Sequence, residues 1–486
     1  MALKSPHISL MARIHPRARL CEGELEWGVE DLQRAVLAWQ ALLDDLDVTV
    51  VAFDLPNGCE WVALDLALME SGRVAVPVPA FFSPDQRRHA LADSGAQLWV
   101  VSPAAAAQMP EQDWQDFRGT AHTRLAGVGS VELPPMTALV TYTSGSTGQP
   151  KGVCLAYSTL IEIAESIVAA LRDVEVARHL SVLPLTLLLE NVAGVFANLI
   201  NGSEIHVPEL SRVGVRGSSE VDIVEFVSAL ERHAPHSLIL VPALLLGVTA
   251  ASEFGLGKFT SLKFIAVGGG RVALALLERA EHQHLPVFEG YGLTECGSVV
   301  ALNTPQARRA GTVGRLLPHV RATVVEGELV VSHPTMVGVL GETARADGVV
   351  ATGDAVEVDE SGYVRVRGRL KNTYITAFGR NVSPEWVESE LLNELSVGYA
   401  AVFGEGREAA TALLVARGEA SDTDLAAAVA ACNARLPDYA RIGTWHRATR
   451  QQLEAVDGLT ANGRIRRDAI AAGFASLLEP SDSYGT

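Results

Sequence analysis

Short apolar, β-branched runs alternate with helical stretches over the first ~320 residues, and this alternation most constrains the fold. VTVVAFDL (48–55), AQLWVVS (96–102) and HSLILVPALL (236–245) read as buried strands. Stretches such as 84–94 and 158–172 between them carry helical patterning. Strand–helix alternation predicts a layered α/β architecture with largely parallel sheets. From about residue 320 the texture changes: RATVVEGELVVSHP and AVEVDESGYVRVRGR alternate apolar and polar positions around Glu-Gly and Glu-Ser-Gly turns, as antiparallel hairpins do. After Arg369 come a helix over 383–394 with Pro384 in its first turn, two apolar strands (YAAVFGE, TALLVARG) and a helix over 423–435. These predict a large N-terminal domain, 1–368, of α/β subdomains with a small β-barrel-like subdomain. A small α+β domain, 369–486, follows, with the boundary at 367–371.

The 486 residues suffice for several domains, and 48% hydrophobic with 20% charged residues describes a globular chain. A net charge of −18 argues against non-specific grip on nucleic acid or anionic lipid, both of which need a cationic surface. Nucleotides, held by local geometry, remain open. Five scattered cysteines without a CxxC pair argue against a disulfide framework or a zinc site and favour a reducing cytoplasm. The N-terminal 19 residues lack the apolar core of a secretion signal. The apolar stretch 180–200 is interrupted by Pro184, Glu190, Asn191 and Asn198, so it reads as core or pocket wall and not as a membrane span.

The chemistry concentrates at TYTSGSTGQPKG (141–152), where an apolar strand runs into Thr143, Ser144, Gly145, Ser146, Thr147 and Gly148, followed by Lys151. Glycines turn backbone N–H groups toward an anion, hydroxyls add neutral donors and Lys151 adds a charge, a combination suited to polyphosphate. Pro150 stands where the P-loop pattern needs its second glycine, which disfavours kinases and GTPases of that class. Read alone, the stretch is also a plain Ser/Gly connector.

This segment closely resembles the signature loop of the adenylate-forming enzymes, which include acyl-CoA synthetases, luciferases and peptide-synthetase adenylation domains. Further segments resemble the family's motifs in order: residues 66–100, IAVGGGR (265–271), FEGYGLTECGS (288–298), the stretch 351–391 and LTANGRIRRDAI (459–470). The resemblance spans nearly the whole chain and is nearest in feel to long-chain acyl-CoA synthetases. It implies ATP-dependent joining of a carboxylate to AMP with release of pyrophosphate, then transfer of the acyl group to a thiol. It implies Mg²⁺ on Glu295, Thr294 at the α-phosphate, Gly268, Gly269 and Gly270 beside the adenine and Tyr291 stacked on it, with Gly292 in the same motif. Asp354 falls on the ribose, Arg369 on the ribose or phosphate side, Lys371 at an interdomain hinge and Gly379 on a loop near a pantetheine arm.

One position departs from the pattern: Arg464 stands where the family carries a lysine bridging carboxylate and α-phosphate. Arginine keeps the charge, but its planar head is larger. Three outcomes stay open: Arg464 substitutes directly, Arg466 or Arg467 helps, or adenylation is slow and the chain is a weakly active adenylate-binding relative. An active enzyme is expected.

SVLPLTLLLENVAG (181–194) resembles the family's substrate-pocket stretch, with Leu187 in place of a histidine. Leu189 falls where peptide-synthetase domains carry an aspartate for the α-amino group, and an apolar residue cannot pair an ammonium. α-Amino acids are therefore disfavoured. The adjacent Glu190 leaves a β- or ω-amino acid open, while the apolar run 241–251 fits an aliphatic or aromatic tail or is ordinary core. CoA and the phosphopantetheine of a free-standing acyl carrier protein both fit as acceptor, with the acidic net charge tilting toward CoA. A homodimer is compatible with the sequence.

Overall fold

The computed structural model describes residues 9–125, 131–143, 150–216, 220–342, 348–460 and 463–478. Two large sheets form the N-terminal lobe. In the nine-stranded sheet, Arg19–Glu22, Glu204–His206, Arg178–Leu180, Ser237–Leu240, Phe264–Val267 and Val287–Leu293 run parallel, with antiparallel strands at both edges. The eight-stranded sheet has Leu98–Val101, Val50–Asp54, Val74–Pro77 and Thr137–Thr143 in parallel at its centre, and Lys151–Ala156 returns antiparallel to the last. Parallel strands covered on both faces need apolar side chains throughout, and Leu98–Val101 and Ser237–Leu240 are buried at every position.

The largest core cluster includes side chains of helices Val29–Asp45, Cys59–Glu70 and Tyr157–Ala170, and of the π-helical stretch Leu189–Phe196. Helix Cys59–Glu70 is apolar around its whole circumference, and all its residues from Cys59 to Met69 except Glu60 are buried. It carries one buried carboxylate, Asp65.

Four antiparallel strands, Arg321–Val325, Glu328–His333, Val350–Val358 and Val364–Arg369, form the small β unit. The C-terminal lobe holds a three-stranded sheet (Val397–Phe403, Ala410–Ala416, Ile442–Ala448) packed with helices Pro384–Leu392 and Asp422–Arg435. This mixed α/β architecture, a large N-terminal lobe plus a smaller C-terminal one, is the one the strand and helix patterning predicts.

One strand expectation is corrected. Of 236–245 only Ser237–Leu240 is strand; Pro242 opens helix Pro242–Glu253, where a residue without an N–H fits the first turn. Leu244, Leu245, Leu246 and Val248 are buried in the second core cluster, so most of the run 241–251 is core and not a binding surface. Among the described residues no helix is long and apolar enough to cross a membrane.

Candidate active site

The polyphosphate-type segment is flanked by the antiparallel strands Thr137–Thr143 and Lys151–Ala156. Thr143 pairs with Lys151 in register, so the chain leaves one strand and returns as the next. Ser144, Gly145, Ser146, Thr147 and Gly148 lie outside the described residues. Both ends of the loop are braced by helix Pro84–Asp93. His89 Nε2 lies 3.0 Å from the Pro150 carbonyl, and Tyr142 donates its hydroxyl to Ala90 O (3.0 Å) and Asp93 Oδ2 (3.1 Å). That helix starts where it does because Ser83 and Gln86 cap each other reciprocally and Pro84 follows. Lys151 sits at the hairpin base with its ammonium 2.9 Å from Glu342, both side chains about half exposed.

Across from the hairpin, strand Phe264–Val267 ends in Gly268, Gly269 and Gly270. Gly269 has φ +79°, which a side chain would strain, and its carbonyl faces the cleft. Arg464 spans the gap from the C-terminal lobe and donates from Nη2 to Gly269 O at 2.9 Å. A tight turn holds Arg464: its backbone N–H donates to Thr460 Oγ1 (2.9 Å), and Thr460 N–H donates back to its carbonyl (2.7 Å). Burial of the guanidinium and the positive charge of Arg369 push its pKa down. The side chain is nonetheless open to solvent along the cleft, and an arginine stays charged under any such shift. Arg369 is thus close enough for its charge to act on Arg464, while its own guanidinium pairs with Asp354.

Asp354 is 5% exposed and stands opposite Arg369 in the strand register. Tyr291 donates to Asp354 Oδ2 at 2.6 Å, and Arg369 Nε lies 3.1 Å from Oδ1 while its Nη1 donates to Thr352 O at 2.7 Å. Burial raises the Asp354 pKa, with the Tyr291 hydrogen bond and the Arg369 charge opposing. Burial and the Asp354 carboxylate also raise the Tyr291 phenol. Gly292 serves the backbone: a Cβ there would lie 1.5 Å from Ser298 O, where the strand pairing shifts register.

Thr294 and Glu295 lie in the turn that follows. The Glu295 carboxylate is half-buried and has no hydrogen bond or ion pair among the described residues; its field reaches Asp354. An unpaired carboxylate oxygen beside an anion site suits a hard divalent cation such as Mg²⁺.

A cleft of about 140 Å³ between the lobes is lined by Phe81, Phe82, Thr143, Leu187, Thr294, Thr460 and Arg464 among others, whereas Lys151, Gly268 to Gly270, Tyr291, Glu295, Asp354 and Arg369 are not among its lining residues. A more open groove of about 770 Å³ lies between helix Leu274–His282 and the C-terminal lobe. It includes none of the predicted site residues and is a seam between lobes, where Arg279 donates to Asn393 O (3.2 Å) and Oδ1 (3.1 Å).

The other predicted residues scatter. Leu187 lines the cleft, and Leu189 packs against Gly268 and both large core clusters. Glu190 is no pocket residue. The π-helical turn carries it inward, fully buried, with Oε1 2.9 Å from His179 Nε2; His179 Nδ1 in turn meets Ser237 Oγ at 2.9 Å. It cannot reach an amine in the cleft. Arg467 is committed to Glu388 at 2.7 and 2.9 Å, so it cannot assist Arg464, whereas Arg466 lines the cleft while bonding Asp457. Lys371 is exposed in the turn Leu370–Asn372 and has no partner among the described residues. Gly379, φ +70°, tops an exposed turn with no atom within 4 Å of its would-be Cβ. Sequence reasoning missed Phe82, Tyr142 and Thr460. The aromatic pair inside PVPAFFSP was the available signal.

The AMP-binding enzyme family profile matches residues 30–342, and that of the AMP-binding enzyme C-terminal domain matches 371–481. A feruloyl-CoA synthase of Amycolatopsis sp is 30% identical over 387 residues, 73% of this chain and 75% of its own. The long-chain-fatty-acid–CoA ligase FadD13 of Mycobacterium tuberculosis is 26% identical over 427 residues, 80% of this chain and 82% of its own. The anthranilate CoA ligase AuaEII, solved with anthranoyl-AMP, superposes with a TM-score of 0.78 at 17% identity over 97% of this chain and 98% of that one. A profile that covers most of the chain identifies it as a member of the AMP-binding enzymes, the adenylate-forming superfamily, of acyl-CoA synthetase type.

Proposed function

We propose that this enzyme activates an apolar carboxylic acid with ATP and transfers the acyl group to CoA. In the first step a carboxylate oxygen attacks the α-phosphate and pyrophosphate leaves. In the second the CoA thiolate attacks the acyl carbonyl and AMP leaves. The observation that carries this reading is Arg464 reaching from the C-terminal lobe to Gly269, with Arg369 close enough to depress its pKa. The Arg464 guanidinium in the cleft, with the Arg369 charge nearby, stabilises the charge that builds on the transferring phosphoryl group.

Each residue then takes a role. Asp354 accepts from the ribose hydroxyls, Tyr291 presents its ring to the base, and Gly268 to Gly270 let backbone approach it closely. Thr143, Thr294 and Lys151 donate to phosphate oxygens, with residues 144–148 forming the rest of the cradle. Glu295 holds Mg²⁺, which when bound supplies neutralising charge at the phosphates. Residues 1–368 and 369–486 act as two bodies pivoting at Lys371, and Gly379 gives the pantetheine arm room.

The acid is apolar and lacks an amino group. Leu187 and Leu188 line the cleft, while Glu190, the nearby carboxylate in the sequence, is fully buried with one oxygen paired to His179. The one carboxylate lining the cleft, Asp457, is already paired with Arg466, so an ammonium would meet no free counter-charge among the lining residues. ATP–pyrophosphate exchange with a panel of fatty, aryl and amino acids, with and without CoA, tests the reading. Exchange with apolar acids and CoA-dependent thioester formation is expected. Exchange confined to amino acids overturns the substrate class, and acyl transfer only to a carrier protein overturns the acceptor.

A further inference from the structure

A second cluster of chemistry lies at the edge of the nine-stranded sheet, on residues that do not line the cleft. Strands Arg19–Glu22 and Glu204–His206 pair in parallel with Cys21 directly beside His206. Glu204, two residues before His206, projects from the same face because side chains alternate along a strand. Cys21 Sγ, a Glu204 carboxylate oxygen and a His206 ring nitrogen all lie within 4.8 Å of one another.

We propose that Cys21, Glu204 and His206 bind one divalent transition-metal ion of the zinc type. Thiolate, imidazole and carboxylate are the donors that zinc takes, at about 2.0–2.3 Å each. Tetrahedral ligands at such lengths stand about 3.5 Å apart, so small side-chain rotations close the triangle. Cys21 is 7% exposed and His206 is mostly buried, whereas the Glu204 side chain is 43% exposed. The two inner ligands are therefore fixed by backbone pairing, and the outer one is free to adjust.

The surroundings complete the pattern. His206 Nε2 lies 2.6 Å from Glu204, and its Nδ1 lies 3.2 Å from His233 Nδ1 at the end of helix Ile223–His233. A metal-bound imidazole characteristically gives its other N–H to a neighbouring acceptor, which orients the ring; His233 fills that place. Glu26, the register partner of Cys21 on the neighbouring strand, stands beside the fourth position, which water takes. Arg178, 3.4 Å from Glu204, competes for that carboxylate, and the ion must displace it. Metal binding releases the Cys21 thiol proton to solvent, and the two anionic ligands balance the dication. The ion would cross-link two neighbouring parallel strands, Arg19–Glu22 and Glu204–His206, one strand in from the sheet edge. The spacing hid the site: Cys21 and His206 are far apart in sequence and no CxxC marks them.

The test is Co²⁺ titration of the full-length protein after chelator dialysis, read by absorption. One equivalent should bind, with a near-ultraviolet thiolate-to-cobalt band that Zn²⁺ displaces. Cys21→Ser should abolish the band, and His233→Gln should weaken binding about 10–100-fold. Glu204→Gln, at an exposed side chain, should weaken binding at least about tenfold without altering the far-ultraviolet circular dichroism. Absence of a saturable band overturns the proposal. So does a band that survives Cys21→Ser, or affinity unchanged in folded Glu204→Gln.

Discussion

Replacing Arg464 with alanine should slow acyl-adenylate formation by about 10²–10³-fold, or about 2.7–4 kcal/mol, the usual cost of removing one preorganised charge-stabilising donor. The structure says why the loss should be selective. Arg464 belongs to the C-terminal lobe and enters the cleft through a turn fixed by Thr460, with one guanidinium nitrogen spent on Gly269 O. The remaining donors are free for the substrate carboxylate and the α-phosphate. Arg464→Lys keeps the charge, and the three N–H donors of its ammonium can serve the substrates once the Gly269 contact is given up. The lysine variant should therefore retain most of the rate, and a large loss would mean that arginine's second donor is used in the reaction. Pyrophosphate exchange reads the first half-reaction. Thioester formation from supplied acyl-adenylate reads the second, which should stay within about threefold of wild type, under 1 kcal/mol. Alanine variants with unchanged exchange, or equal losses in both half-reactions, would refute the reasoning.

Three further predictions follow from separate groups. Glu295→Gln should lower adenylation at least tenfold (~1.4 kcal/mol) and weaken its Mg²⁺ dependence, with an unchanged melting curve; wild-type Mg²⁺ titration of exchange would remove Glu295 from the metal role. His179→Ala strips the buried Glu190 of its donor and should cost about 3–5 kcal/mol in urea unfolding, with the mutant protein still binding ATP when folded; a loss under 1 kcal/mol would show that Glu190 finds another partner. Burial raises Asp65 to about 7, only partly opposed by its Asn191 hydrogen bond, so the folded state holds a proton that the unfolded state has released above pH 4. Stability should therefore fall as pH rises from about 4 to 7, by at most about 1.4 kcal/mol per unit, and Asp65→Asn should flatten that slope. An unaltered slope in Asp65→Asn would place the titration elsewhere.

The layered fold was legible because parallel strands buried on both faces must be apolar throughout, as Leu98–Val101 is. The hairpins after residue 320 were legible through alternation. The strand-to-helix switch at Pro242 was not, since Val241 to Leu246 is apolar in either conformation and only the proline marks the start. At the site, motif residues such as Tyr291 and Asp354 come together from distant strands, and their hydrogen bond is a fact of sheet register that spacing cannot carry. Glu190 shows the converse. Leu187 and Leu188, just before it, line the cleft, but an extra residue per turn in the π-helical stretch carries it inward to His179.

The hairpin form of the phosphate segment has an energetic corollary. A loop that opens a helix inherits that helix's positive end, a permanent and immobile attraction for anions. Here the chain turns back as a strand, and sheets contribute little net dipole. Full side-chain charges therefore weigh more in the attraction, and one of them, Arg464, comes from the other lobe. Under the proposed function, affinity for the triphosphate would thereby be tied to lobe position: swinging the lobe away would withdraw a cation from the cleft and loosen pyrophosphate in the same motion.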